Sequence, residues 1–325
     1  SIGGLAAASF YVPYKRVRGW AWETFWLVGG FFSWIVAPWA AALAANPDTI
    51  GIIRASPAHV LLWSWLFGVL WGVGGLTFGL SMRYLGISLG YAVALGFCAA
   101  FGTLIPAIPS GDLWRMFSTM AGRITLSGVL VCLIGIAISG AAGWRKERET
   151  PASDVVPEMN VAKGLAVAAF AGVMSACMAF AIEAAKPIAA IAVQRGTAEL
   201  WQTTPGFIVI LFGGFVTNSI WCAYLSIRNR TALDYMDGNR PLASNYLLCM
   251  LGGTTWYLQF MFYGMGTTQM GRYNFVSWSL HMSAIIVFST FWGIALKEWR
   301  GSSAGTRRLA ALGLAVLIGS MLIVG

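Results

Sequence analysis

The stretch YLLCMLGGTTWYLQFMFYGMGTTQMGRYNFVSWSLHMSAIIVFSTFWGIAL, Tyr246 to Leu296, is apolar almost throughout, yet it carries Gln259, His281 and one full charge, Arg272. Runs of this length belong in lipid, where a helix needs roughly 20 apolar residues to cross. Hydrocarbon offers polar groups no partners, so an amide and an imidazole placed there are expected to face a protein interior or a wet cavity. A polar solute that binds or passes between the two helices is the simplest reason for both.

Composition carries the same message through the whole chain. Of 325 residues, 58% are hydrophobic and only 10% are charged, against about 25% charged in soluble domains. The chain reads as an all-α integral membrane protein. Its net charge of +9 is dispersed through short connections rather than gathered on one face, which argues for topology signals and against a nucleic-acid partner. Cys98, Cys132, Cys177, Cys222 and Cys249 all lie inside apolar runs without metal-ligand spacing, so neither disulfides nor a metal is expected. Ile2 to Val12 is shorter than a span, and the chain does not begin with Met. The first helix is therefore expected to begin upstream; no basic region or cleavage pattern marks it as a cleaved signal.

Apolar segments fall near residues 1–13, 22–45, 57–82, 84–108, 122–143, 161–185, 204–227, 244–266, 272–296 and 307–325, which predicts ten transmembrane helices. The connections after the odd-numbered spans hold fifteen of the twenty-one Lys and Arg residues. Basic residues in short loops stay cytoplasmic, so both termini are expected outside the cytoplasm, on the periplasmic side.

Residues 144–160, charged and carrying Pro151 and Pro157, form the longest polar stretch and fall at mid-chain. They read as a cytoplasmic linker between a half at 1–143 and a half at 161–325. Gly29-Gly-Phe recurs as Gly213-Gly-Phe, and Leu133-Ile-Gly as Leu317-Ile-Gly, both at an offset of 184; Leu70-Trp-Gly matches Met250-Leu-Gly at an offset of 180. One register held across three spans points to a five-helix repeat. An odd number of spans per half inverts the second repeat, the arrangement that lets transporters expose one site to either side in turn.

On the ninth span, Asn274, Ser277, Trp278 and His281 share one face by three- and four-residue spacing; on the eighth, Thr255, Trp256, Gln259 and Tyr263 do the same. At 1.5 Å per residue, Gln259 and His281 lie about 10–14 Å from the intervening connection, a common depth that lets them share a pocket. The plainer reading is helix–helix hydrogen bonding worth about 0.5 kcal/mol each. The aromatic stripes favour a ligand instead: rings stack on the C–H face of a sugar while amide and imidazole engage its hydroxyls. Trp71 is the other deep tryptophan; most of the remaining ones read as interface or packing residues.

His281 titrates near neutrality and is a candidate proton carrier. Glu183 is the second candidate, although Lys186 at i+3 permits a local ion pair instead. Pro187 removes a helix hydrogen bond and clashes with the Glu183 carbonyl, so the sixth span is expected to bend there. Pro13, at the inner end of the first span, is the matching hinge. Glu23 and Arg83 lie at expected cytoplasmic helix ends, as interfacial anchors or as a gate bridge. Catalytic signatures are absent: there is no His-Glu-x-x-His, no Gly-x-Ser-x-Gly and no phosphate-cradling glycine loop. An enzyme or a structural subunit is the rival class that this absence disfavours.

Phe10-Tyr-Val-Pro-Tyr-Lys-Arg-Val, Trp22-Glu-Thr-Phe-Trp, Met82-Arg-Tyr-Leu-Gly, Gly122-Arg-Ile-Thr-Leu, Ala184-Ala-Lys-Pro, Trp256-Tyr-Leu-Gln-Phe, Trp278-Ser-Leu-His-Met-Ser and Leu296-Lys-Glu-Trp follow one another in this order. Over nearly its whole length the chain thereby resembles the L-rhamnose/proton symporters of the drug/metabolite transporter superfamily. The resemblance implies ten helices in two inverted five-helix repeats, the bacterial inner membrane, and proton-driven uptake of L-rhamnose or a related deoxy sugar, with no cofactor. Gly75 and Thr77 stand where that family commonly has Asn, Asn274 where it has Asp, and Glu183 where it has Asn. The acidic group has thus moved from the ninth span to the sixth, which bears on the sugar and the proton carrier more than on the class. The resulting expectation is a symporter whose neutral 6-deoxyhexose touches Trp71, Trp256, Gln259, Tyr263, Asn274, Trp278 and His281. An exporter or exchanger of another small metabolite on the same architecture is the alternative.

Overall fold

The computed structural model describes residues 2–85, 87–108, 111, 114, 117–149, 161–271, 277–295 and 301–324. Asn274, Arg272 and the linker residues 150–160 lie outside the described residues. All regular structure among the described residues is helical, because a chain in hydrocarbon has to satisfy its backbone within each segment. Seven helical segments are long and apolar enough to cross a membrane: Trp22–Ala45, Ala58–Phe78, Gly122–Lys146, Ala162–Gln194, Glu199–Asn229, Ser277–Ala295 and Ala304–Ile323. The chain is a multi-pass membrane protein. Helix also occupies the other three expected segments, with α1 at Ile2–Ser9 and α2 at Tyr11–Tyr14, α7 at Ile87–Ala107, and α12 at Leu242–Thr267. Length alone does not make these spans: α1 has 8 residues, and polar Asn245, Thr254, Thr255 and Gln259 dilute the 26 residues of α12.

The remaining helices are α3 (Trp22–Phe31), α4 (Ala37–Ala45), α5 (Thr49–Ala55), α6 (Ala58–Leu85), α8 (Met120–Glu149), α9 (Val161–Ala184), α10 (Lys186–Gln194), α11 (Thr204–Asn229), α13 (Ser277–Ala295) and α14 (Ala304–Val324). The chain forms two compact units, the first from residues 2–72 and 180–269, the second from residues 73–179 and 270–325.

Prolines shape three places in the first unit. Pro13 has no N–H to give the Ser9 carbonyl, and the helix breaks at Phe10, between α1 and α2. Pro187 does the same to Glu183, and the break falls at Ala185, as its sequence predicts. Lys186 Nζ meets Glu183 Oε1 at 2.6 Å across that break, with both side chains about half exposed. Between α3 and α4 the chain instead widens into a π-turn, Phe32–Val36, closed by the Ala37 N–H on the Phe32 carbonyl. Pro38 follows at once and would otherwise collide with the Trp34 carbonyl four residues back.

Glycines set the helix spacing in this unit. A Cβ on Gly253 of α12 would run into the Gly29 carbonyl of α3, and one on Gly213 of α11 would run into the Trp65 carbonyl of α6. The two ends of Trp22–Ala45 are held by polar clusters. At one end, buried Asp234 accepts from the Ala21 N–H at 2.8 Å and Thr24 Oγ1 at 3.1 Å and pairs with Arg240 at 2.8 Å. Glu23 accepts from Asn229 and Thr231, each at 2.9 Å, and the side chain of Arg83 lies outside the description. At the other end, Asn46 bonds Thr204 at 3.0 Å and Thr197 at 2.7 Å, beside an Asp48–Arg195 ion pair at 2.7 Å.

In the second unit α8 packs along α14, with Gly135 beneath Leu317 and Gly313 against Ser139. Glu149, at the end of α8, accepts from Ser303 Oγ and Thr306 Oγ1 at 2.6 Å each and from the Ser303 N–H at 2.7 Å, capping the start of α14. The Ser303 hydroxyl, then Thr306 and the Ser303 amide, hold the Glu149 carboxyl below its usual 4.5.

Replacing Gly213 or Gly253 by Leu is expected to cost about 1–3 kcal/mol by overpacking, read as a lower Tm in detergent. Gly319→Ala, where a Cβ meets nothing within 4 Å, should not lower Tm. Because folding lowers the Glu149 pKa, its contribution is present above 4.5 and is lost as pH falls through the folded value. Glu149→Gln should therefore lower Tm at neutral pH and converge with the parent as the pH drops below 4.5.

Candidate functional site

On α12, Trp256, Gln259 and Tyr263 lie one and two turns apart on a common face. Gly252 and Gly253 precede them by one turn and let Phe10, α2 and α3 approach the α12 backbone. That approach brings rings onto Trp256 from separate segments. Phe10 stacks on it at 4.6 Å and 18°, Trp26 meets it at 5.1 Å, Trp34 at 5.1 Å and Trp71 at 6.3 Å. Trp34 and Trp71 stand edge to face at 6.1 Å and 88°, and Phe260 meets Trp71 at 5.5 Å and 89°. The break at Phe10 and the π-turn at Trp34 both lie among these rings.

The polar groups beside the rings are uncharged. Trp26 Nε1 donates to Asn218 Oδ1 at 3.0 Å, and Asn218 Nδ2 donates to the Gly214 carbonyl at 2.9 Å. Gln259 is buried, 6% exposed. Tyr263 is half-buried. A cluster of indoles, amides and a phenol suits a neutral ligand with both apolar and hydroxylated faces better than an ion.

The second unit holds the remaining candidates. Trp278 and His281 are both buried on α13, 6.0 Å apart between ring centroids. The Trp278 indole N–H donates to the Cys98 carbonyl at 3.2 Å and its ring lies on Gly102, so what it keeps for a ligand is ring surface. The same helix is fastened to α7 by Ser279 and Thr103 at 2.6 Å, and to α8 by Ser283 and Cys132 at 2.8 Å. The structure thus joins Trp71, Trp256 and Gln259 in one unit and Trp278 with His281 in the other, while Asn274 lies outside the described residues. Glu183 is held in its pair with Lys186.

Phe10, Trp26, Trp34 and Asn218 escaped the sequence reading. A signal was present: the offset of 184 that aligns the two Gly-Gly-Phe strings also sets Asn218 opposite Trp34.

The whole chain, residues 1–325, matches the family described as L-rhamnose-proton symport protein (RhaT). The chain belongs to this family. A protein named L-rhamnose-proton symporter from Cronobacter sakazakii is 39% identical over 328 residues, covering 100% of this chain and 94% of its own length. One of the same name from Klebsiella pneumoniae is 39% identical, covering 100% and 95%, and one from Salmonella gallinarum is 40% identical over 321 residues, covering 98% and 92%. The family is one of transporters, not enzymes.

In this family member, Asn218→Ala would leave the half-buried Trp26 indole without its acceptor. The expected cost is about 1–3 kcal/mol, measured as a lowered Tm, with a change in tryptophan emission as Trp26 loses its partner.

Proposed function

We propose that the chain imports L-rhamnose, or a closely related 6-deoxyhexose, together with a proton by alternating access. The observation that carries this is the convergence of Trp26, Trp34 and Trp71 on Trp256, one helical turn from the buried Gln259 amide, in a member of the L-rhamnose-proton symport family. An indole face complements the C–H face of a pyranose, and a deoxy sugar adds a methyl to its apolar side. The Gln259 amide both donates and accepts, as a hydroxyl does. Tyr263 on the same helix face, with Asn274, Trp278 and His281, completes the set of sugar contacts in this reading.

The chain is read further as ten spans in two inverted repeats, 1–143 and 161–325, joined by the linker 144–160, with both termini periplasmic in the bacterial inner membrane. Two features support the repeat. Pro13 and Pro187 both follow helix breaks in the opening span of each half. Gly29 of the second span meets Gly253 of the eighth, and Gly213 of the seventh meets the third at Trp65 and Gly68, so equivalent spans contact in equivalent pairs. The proton is assigned to His281, because Glu183 already has Lys186 2.6 Å away. Pro13, Pro187 and Lys186 serve as hinge or gate. One charge crossing the membrane supplies about 2.3 kcal/mol per 100 mV, enough for several-tenfold accumulation.

Uptake of labelled L-rhamnose, L-fucose and a non-deoxy hexose into proteoliposomes tests this. An inward proton gradient should drive accumulation of a 6-deoxy sugar, and a protonophore should abolish it. His281→Gln should keep sugar exchange and lose accumulation, while Glu183→Gln keeps both. If the gradient drives none of the sugars, the symporter reading fails; sugar movement by exchange alone would favour an exchanger.

A further inference from the structure

We infer that Trp34, carried on the π-turn Phe32–Val36, is a specificity-determining hydrogen-bond donor of the sugar site, its indole N–H reading one hydroxyl of the substrate. The inference rests on the sugar-transport reading above and adds to it a residue and a rule of selection.

The π-turn is an uncommon local structure with a definite cause. Pro38 cannot close an α-helical bond to the Trp34 carbonyl, and the ladder is carried across by the wider bond from the Ala37 N–H to the Phe32 carbonyl. Pro13 and Pro187 break their helices, whereas here α3 and α4 continue as one segment, Trp22–Ala45. Single π-turns of this kind tend to persist where a side chain must be placed for function.

What this one places is an indole that is 1% exposed. The ring lies over Gly30 and within 5.1 Å of Trp256, 6.1 Å of Trp71 and 6.3 Å of Trp26, centroid to centroid. Its neighbour Trp26 spends its N–H on Asn218. The Trp34 Nε1 has no hydrogen-bond partner among the described residues. Buried donors are almost always paired, and an indole nitrogen only donates. Gln259, one turn from Trp256 on α12, is a further buried polar group there. An unpaired indole N–H and a buried amide beside one aromatic surface are what a ligand that is both hydroxylated and apolar would satisfy. A sugar lacking the matching hydroxyl would leave the N–H unpaired, and sites built to bond a hydroxyl reject analogues without it far more strongly than apolar pockets reject size differences.

Trp34→Phe keeps a ring at the position and removes the N–H. Proteoliposome uptake of L-rhamnose is measured with its 2-, 3- and 4-monodeoxy analogues as competitors. The parent protein should bind one analogue roughly tenfold or more weakly than L-rhamnose. In Trp34→Phe the apparent affinity for L-rhamnose should fall to that of this analogue, whose own affinity stays unchanged, so the discrimination disappears. Equal losses for every sugar, or discrimination like the parent's, would overturn the assignment. Trp34→His, which restores a ring N–H, should regain part of the discrimination; if it loses all of it while still transporting, the assignment also fails. A parent protein that moves no L-rhamnose would instead sink the sugar reading itself, before any variant is compared.

Discussion

Hydrocarbon supplies no hydrogen-bond partners, and the architecture follows from that single constraint. Every backbone group in a span has to be satisfied by its own helix, which excludes strands with open edges and leaves helices as the units of packing. The same rule makes each interruption of a helix costly. Such interruptions occur at Phe10, at the π-turn Phe32–Val36 and at Ala185, each shortly before a proline that cannot take part in the ladder. Two of the three lie against Trp256.

Helix spacing then determines what can meet. Gly252 and Gly253 let α12 approach the backbone of its neighbours, and the large rings one turn away fill the space that results. Dispersion and ring geometry hold the rings together, each pair contributing about 0.5–1.5 kcal/mol beyond the area it buries. Small residues and indoles are therefore parts of one arrangement: without the glycines the rings could not converge, and without the rings the glycines would leave a void. At both ends of Trp22–Ala45 the apolar packing gives way to clusters centred on Asp234 and Asn46. There water is near and charged groups can be held by neighbours at modest cost.

The helical segments, their apolar character and the family were legible in the sequence because they depend on local composition and on strings such as Trp256-Tyr-Leu-Gln-Phe. The pairing of Glu183 with Lys186 and the break before Pro187 were legible for the same reason, since partners three or four residues apart share a helix face. Gln259 stood out as an amide in an apolar run. Trp34 did not, because an indole in a span is unremarkable until its neighbours are known, and by sequence most tryptophans read as interface or packing residues.

What the sequence by itself determined is the solvent the chain lives in, the places where helices run and break, and the residue types present for recognition. Tertiary structure alone decided which of those residues meet. Phe10, Trp26, Trp34 and Trp71 come from separate stretches, and their convergence on Trp256 depends on how closely helix backbones approach. A helical period specifies only the face on which a side chain sits; the partner of that face is chosen by packing.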